Sequence, residues 1–101
     1  MLLKSGEVVQ AAAHYRKQLA LNQEMVAADP ANAQFRRNQA VALIKIGDVD
    51  ARMGRTHDAF SNYNEALRIR EQLSSVAPQD IYIHRDLAEV RSKLATLKAE
   101  H

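Results

Sequence analysis

Apolar residues recur along this chain in steps of three and four, the spacing of one face of an α-helix. Between residues 33 and 53, Phe35, Gln39, Ala42, Ile46, Val49 and Met53 fall on one stripe, with Gln39 its polar exception. Ile83, Leu87, Val90, Leu94 and Leu97 form the same stripe near the C-terminal end. A polar group in such a stripe needs a hydrogen bond or an edge. Pro30 and Pro78 interrupt the helical pattern, and Asn32 and Asp80 follow two residues later, where a side-chain oxygen can cap free N–H groups. Gly54, in Met53-Gly54-Arg55, fits a tight turn between helices, and Thr56 is a candidate cap for the next one. The pattern predicts helices over 7–28, 33–52, 56–76 and 81–99, each about 30 Å long.

The chain repeats itself at an offset of 48 residues without a gap. Gly6 pairs with Gly54, Ala11 with Ala59, Tyr15 with Tyr63, Leu19 with Leu67 and Pro30 with Pro78. Further on, Arg37 pairs with Arg85, Ala40 with Ala88 and Lys45 with Lys93. Conservative matches include Leu21 with Ile69, Met25 with Leu73 and Phe35 with Ile83. A fixed period points to stacked supersecondary units.

Composition narrows the class. With 101 residues, the chain is long enough for one domain, residues 1–101. Only 3 Gly and 2 Pro argue against an all-β fold, and 0 Cys excludes disulfides and thiolate metal sites. A net charge of +2, with acids and bases interspersed, is a weak argument for nucleic acid. No apolar run approaches the roughly 20 residues that span a bilayer. Met1-Leu2-Leu3-Lys4-Ser5 is too short for a signal peptide, so a cytoplasmic location is expected.

Ile46-Gly47, Gly54, Ala59, Tyr63 and Ala66 together resemble a tetratricopeptide repeat. The first two match the Leu-Gly pair of that motif's first helix, and Gly54 matches its turn glycine. Ala59, Tyr63 and Ala66 match the small, aromatic and small positions of its second helix. Gly47, Ala59 and Ala66 lack bulk, which lets two helix backbones approach while Tyr63 fills the adjoining space. The period of 48 exceeds the family's usual ~34, so the chain is similar to long-helix variants found in bacterial signalling proteins. Gln18 stands where a small residue is expected, and Ala95 replaces the glycine in the fourth helix. One complete repeat, 33–76, is flanked by half repeats, 6–28 and 80–99. The resemblance implies an all-α stack of four long, antiparallel-connected helices that binds protein or peptide.

It also implies a concave wall made of Arg37, Val41, Ile44, Asp48 and Arg52 on the second helix. Arg85, Glu89, Ser92 and Thr96 continue it on the fourth. Ile44 and Asp48 stand where a carboxylate-clamp repeat carries Lys and Asn, which argues against a chaperone-tail clamp. Arg37 and Arg85 either stack as a cationic pair for an acidic peptide or each anchor a nearby carboxylate or helix end. Lys45 and Lys93 present the same two readings.

Catalysis finds little support. His14, His57, His84 and His101 form no metal-binding pair at helical spacing, and Asp48 and Asp50, two apart, point in different directions on a helix. No catalytic, metal or cofactor site is expected. A weak nucleic-acid binder using Arg and Lys is the reading from another class, and a self-associating scaffold segment is a third.

The two ends carry opposite expectations. Glu89, Arg91 and Ser92 replace Val41, Leu43 and Ile44 at the repeat offset, so the fourth helix is expected to act as a water-facing cap and a true end. At the other end Val8, Ala11, Ala12 and Tyr15 are expected to lie uncovered and to drive a symmetric homodimer.

Overall fold

The computed structural model describes residues 5–100 and consists of four helices. They are α1 (Ser5–Ala28), α2 (Ala33–Arg52), α3 (Thr56–Val76) and α4 (Ile81–Glu100). Residues 1–4 and His101 lie outside the described residues, and with them most of the opening segment considered above. The all-α stack of antiparallel neighbours is as expected. Helix limits follow the local chemistry. Pro30 disfavours helical backbone at Asp29, and Asn32 then starts α2 by accepting the Phe35 N–H at 3.1 Å. At the equivalent place, Asp80 accepts from the Tyr82 and Ile83 N–H groups at 2.9 and 3.3 Å. Gly54 turns the chain between α2 and α3 with φ +76°, a left-handed value suited to a residue without Cβ. The cap position of α3 falls on Arg55, whose side chain makes no cap bond, and Thr56 is already helical. Gly6 is exposed like Gly54 but lies within α1 and marks no turn.

Each helix packs chiefly on its neighbours in sequence, and the α2–α3 pair is the most extensive. The molecule measures 40 × 30 × 19 Å, and its least dimension fits two helix layers. α1 and α3 flank a groove floored by Ile46 and Asp50 of α2, so they lie on the same side of that helix.

The main core joins α2, α3 and α4 through Ala40, Leu43, Ile44, Tyr63, Ile69 and Val90, among others. Gly47 decides how closely α2 and α3 approach. A Cβ built there would lie 2.6 Å from Cε1 of Tyr63, below any tolerable contact. Ala59 and Ala66 are fully buried on the facing surface.

The single-stripe reading of α2 is incomplete. Ala42, Ile46 and Val49 are buried as expected, but Met53 is exposed, and Ala40, Leu43 and Ile44 supply the α3-facing core instead. A helix held between two neighbours needs two buried faces, and α2 has them. Gln39 reaches the edge, half-buried. The α4 stripe is as read: Ile83, Leu87, Val90 and Leu97 are buried, and Leu94 packs partly against the core.

The repeat is visible in the bonds between layers. Asn22 of α1 donates to the Asn38 backbone carbonyl at 3.3 Å, and its counterpart Arg70 donates to the Asp86 carbonyl at 2.8 Å. None of the described helices is long and apolar enough to cross a membrane.

Candidate functional site

Three charged residues of the expected wall on α2 and α4, Arg37, Asp48 and Glu89, are ion-paired. Arg37 donates to the Asp86 carboxylate at 3.1 Å. Asp48 accepts the Tyr63 hydroxyl at 2.6 Å and the Lys93 ammonium at 3.0 and 3.2 Å. Arg37 and Lys93 therefore anchor neighbouring carboxylates. Arg85 lies over the Tyr82 ring at 5.3 Å, so Arg37 and Arg85 do not form a stacked pair. Glu89 accepts from the buried Arg70 at 3.0 Å. Val41, Arg52, Ser92 and Thr96 are exposed. Ile44 is a correction: it is 4% exposed and belongs to the core that joins α2, α3 and α4, not to an open wall. The outward α4 residues Ala88, Glu89, Arg91 and Ser92 are exposed, as expected of a polar outer face.

Burial pushes the Tyr63 phenol well above its usual range. Its hydrogen bond to Asp48 and the negative charges of Asp48 and Asp50 act in the same direction. The phenol therefore stays neutral and donates to a carboxylate that also holds Lys93. Asp50, two residues on, points elsewhere as its spacing requires: it accepts from Asn62 at 2.8 Å and lies 3.8 Å from Arg55.

The expected dimer patch also needs correction. Val8 is 9% and Ala12 4% exposed, both packed on Val49, while Ala11 and Tyr15 are half-buried beside them. The stripe Val8, Ala12, Tyr15, Leu19 and Val26 turns these residues toward α2, so Val8 and Ala12 are covered within the chain.

What α1 leaves uncovered lies further round. Leu21 is 59%, Met25 38% and, across on α2, Val41 45% exposed. The three share a groove of about 330 Å³ with Gln18, Asn22 and Asn38. Toward the start of α1, a second groove of about 370 Å³ is lined by Glu7, Ala11, Tyr15, Lys45, Asp48 and Arg52. Leu21 and Met25 were missed as surface residues, although the repeat pairs them with Ile69 and Leu73. Burial of Asp50 and Arg70 was also missed, and their residue types alone gave no signal for it.

Some of the remaining basic residues are also held in place, while Arg16, Lys17, Lys45, Arg52 and Lys98 are exposed. Arg68 pairs with Glu65 at 2.8 Å, Arg91 with Glu71 at 3.7 Å, and Arg36 donates to the Gln72 side chain. His14 stands edge-on to Tyr15, and His84 contacts the Pro78 carbonyl, well apart from each other in the sequence. Among the described residues no three acidic or histidine side chains converge as metal ligands. Comparison of the chain with protein-family models, curated proteins and solved structures gave no match.

Proposed function

We propose that this chain is a non-catalytic protein–protein interaction module of tetratricopeptide-like build, a cytoplasmic segment of a larger bacterial signalling or scaffold protein. The family part of that reading rests on the Gly47, Gly54, Ala59, Tyr63 and Ala66 pattern. The binding part rests on one observation: Leu21, Met25 and Val41 stand exposed together across the α1–α2 groove. A contiguous apolar patch rimmed by polar residues is characteristic of interaction sites. Arg37, Arg55, Arg68, Arg70, Arg91 and Lys93 are held by carboxylates, which thins the basic surface a nucleic acid would use.

The test is a photo-crosslinking amino acid placed at Val41 and, separately, at Ala88 in the full chain expressed in bacterial cells. A discrete protein adduct at Val41 that is absent at Ala88 and lost on Leu21→Glu supports the reading. Nucleic-acid adducts, or the same adducts at both positions, overturn it.

Self-association is a second reading, favoured by the same apolar trio together with Ala11 and Tyr15. Light scattering at tens of micromolar distinguishes it, with a dimer mass that reverts to monomer on Leu21→Glu.

A further inference from the structure

The α2–α3–α4 junction contains a three-residue unit whose second copy is incomplete. Asp48 of α2 accepts the Tyr63 hydroxyl and the Lys93 ammonium together. At the 48-residue offset, Tyr63 and Lys93 become Tyr15 of α1 and Lys45 of α2. Both line the same 370 Å³ groove, so the fold has brought the second tyrosine and lysine to one place. Neither Tyr15 Oη nor Lys45 Nζ has a hydrogen-bond partner among the described residues. The carboxylate that would complete this unit belongs to a helix lying outside α1, where α2 lies outside α3.

We infer that the α1–α2 groove takes an amphipathic helix of a partner protein, with an aspartate on that helix bonded to Tyr15 and Lys45. The inference rests on the interaction-module reading and specifies the partner's chemistry. The α2–α3 contact supplies the template. Tyr63 closes on Gly47, one residue before Asp48, so the partner helix carries a glycine followed by an aspartate. Its apolar face covers Leu21 and Met25, as Leu43 and Ile44 face α3. A second copy of this chain stacked end to end does not fit, because α4 presents Ala95 and Thr96 where the template needs glycine and aspartate. Glu7 at the groove rim disfavours extra acids near the start of α1 and narrows the demand to one carboxylate.

A labelled peptide with the sequence of residues 33–53 is the probe, since it carries the required Gly-Asp pair. Its binding to the full chain is followed by fluorescence anisotropy, beside a peptide with Asp48→Asn. Charge-assisted hydrogen bonds to one carboxylate make the Asn peptide about tenfold weaker. Lys45→Met in the chain, an exposed position that leaves folding unchanged, abolishes that discrimination, and Tyr15→Phe reduces it. Leu21→Glu in the chain weakens both peptides, which locates them in the groove. Equal binding of the two peptides by the unaltered chain overturns the inference, as does absence of binding at millimolar peptide. Binding without discrimination that is still lost on Leu21→Glu removes the carboxylate while leaving the interaction reading intact. A dimer of the chain alone that excludes the peptide assigns the groove to a second copy and overturns it too.

Discussion

The inner face of α3 and the outer flank of α1 are built from matching residues and meet different fates. Tyr63, Ile69 and Leu73 are 4%, 7% and 5% exposed because they lie in the core that joins α2, α3 and α4. Their counterparts Tyr15, Leu21 and Met25 are half-buried or exposed, because among the described residues no helix covers that flank. Similar side chains at similar positions thus contribute core in one copy and surface in the other. Burial here belongs to the pairing of helices, not to the residue types. Gln18 in place of the fully buried Ala66 widens the difference by making the outer flank of α1 more polar.

The sharpest way to test that contrast is to truncate the two tyrosines. Tyr63→Ala removes a fully packed ring and is expected to cost about 3–5 kcal/mol. Tyr15→Ala should cost less than half as much, measured by urea unfolding of both variants. Equal losses would mean that the two faces are energetically alike.

Next in size is the close contact at Gly47. Gly47→Ala drives a methyl into the Tyr63 ring and is expected to destabilise by about 1–3 kcal/mol. Gly6→Ala, with open space around it in α1, should instead stabilise by about 0.5–1 kcal/mol. Thermal melts of the pair give opposite signs if the geometry is right.

The polar halves of the comparison differ more modestly. Asp48→Asn weakens bonds to Tyr63 and Lys93 in a site about one-third exposed, so about 1 kcal/mol is expected. Lys45→Met should change stability by no more than about 0.5 kcal/mol. Chemical denaturation of both variants in the same buffer checks this ordering.

Alkaline pH offers a last and smaller contrast. The raised pKa of Tyr63 means that the unfolded chain releases its phenolic proton first. The unfolded state then binds fewer protons than the folded one, so stability falls as pH rises above the usual tyrosine range near ~10. Below that range the contribution is fully present. Tyr63→Phe should flatten the alkaline decline, whereas Tyr15→Phe should leave it nearly unchanged, as read by melting temperature from about pH 8 to 11.

Helix number and limits were legible because Pro30, Pro78, Asn32, Asp80 and Gly54 act locally, within a turn of where they stand. The close α2–α3 approach was legible because glycine and alanine at that spacing have a direct steric meaning. The second buried face of α2 was harder to read, since Val41 and Ile44 look alike until the main core covers one and leaves the other exposed. Val8 and Ala12 were misplaced for a related reason: they were grouped with Ala11 and Tyr15 as one uncovered face. Their common stripe with Leu19 and Val26 was the available signal for contact with α2. Asp50 and Arg70 could not be read at all, because their partners, the Asn62 amide that donates to Asp50 and the Asp86 carbonyl that accepts from Arg70, come from other helices.

The ties between α2 and α4 give the molecule a mechanical property. Arg37–Asp86 and Asp48–Lys93 join these helices at two points about 16 Å apart along α2. Apolar packing, by contrast, joins each of them to α3. The hairpins therefore share a greasy pivot on one side and two ionic stays on the other. Both pairs are partly buried, so salt screens them less than it would exposed pairs, and the apolar pivot does not depend on charge at all. A ligand that competes for Asp48 or Asp86 would therefore release one stay and leave the pivot in place.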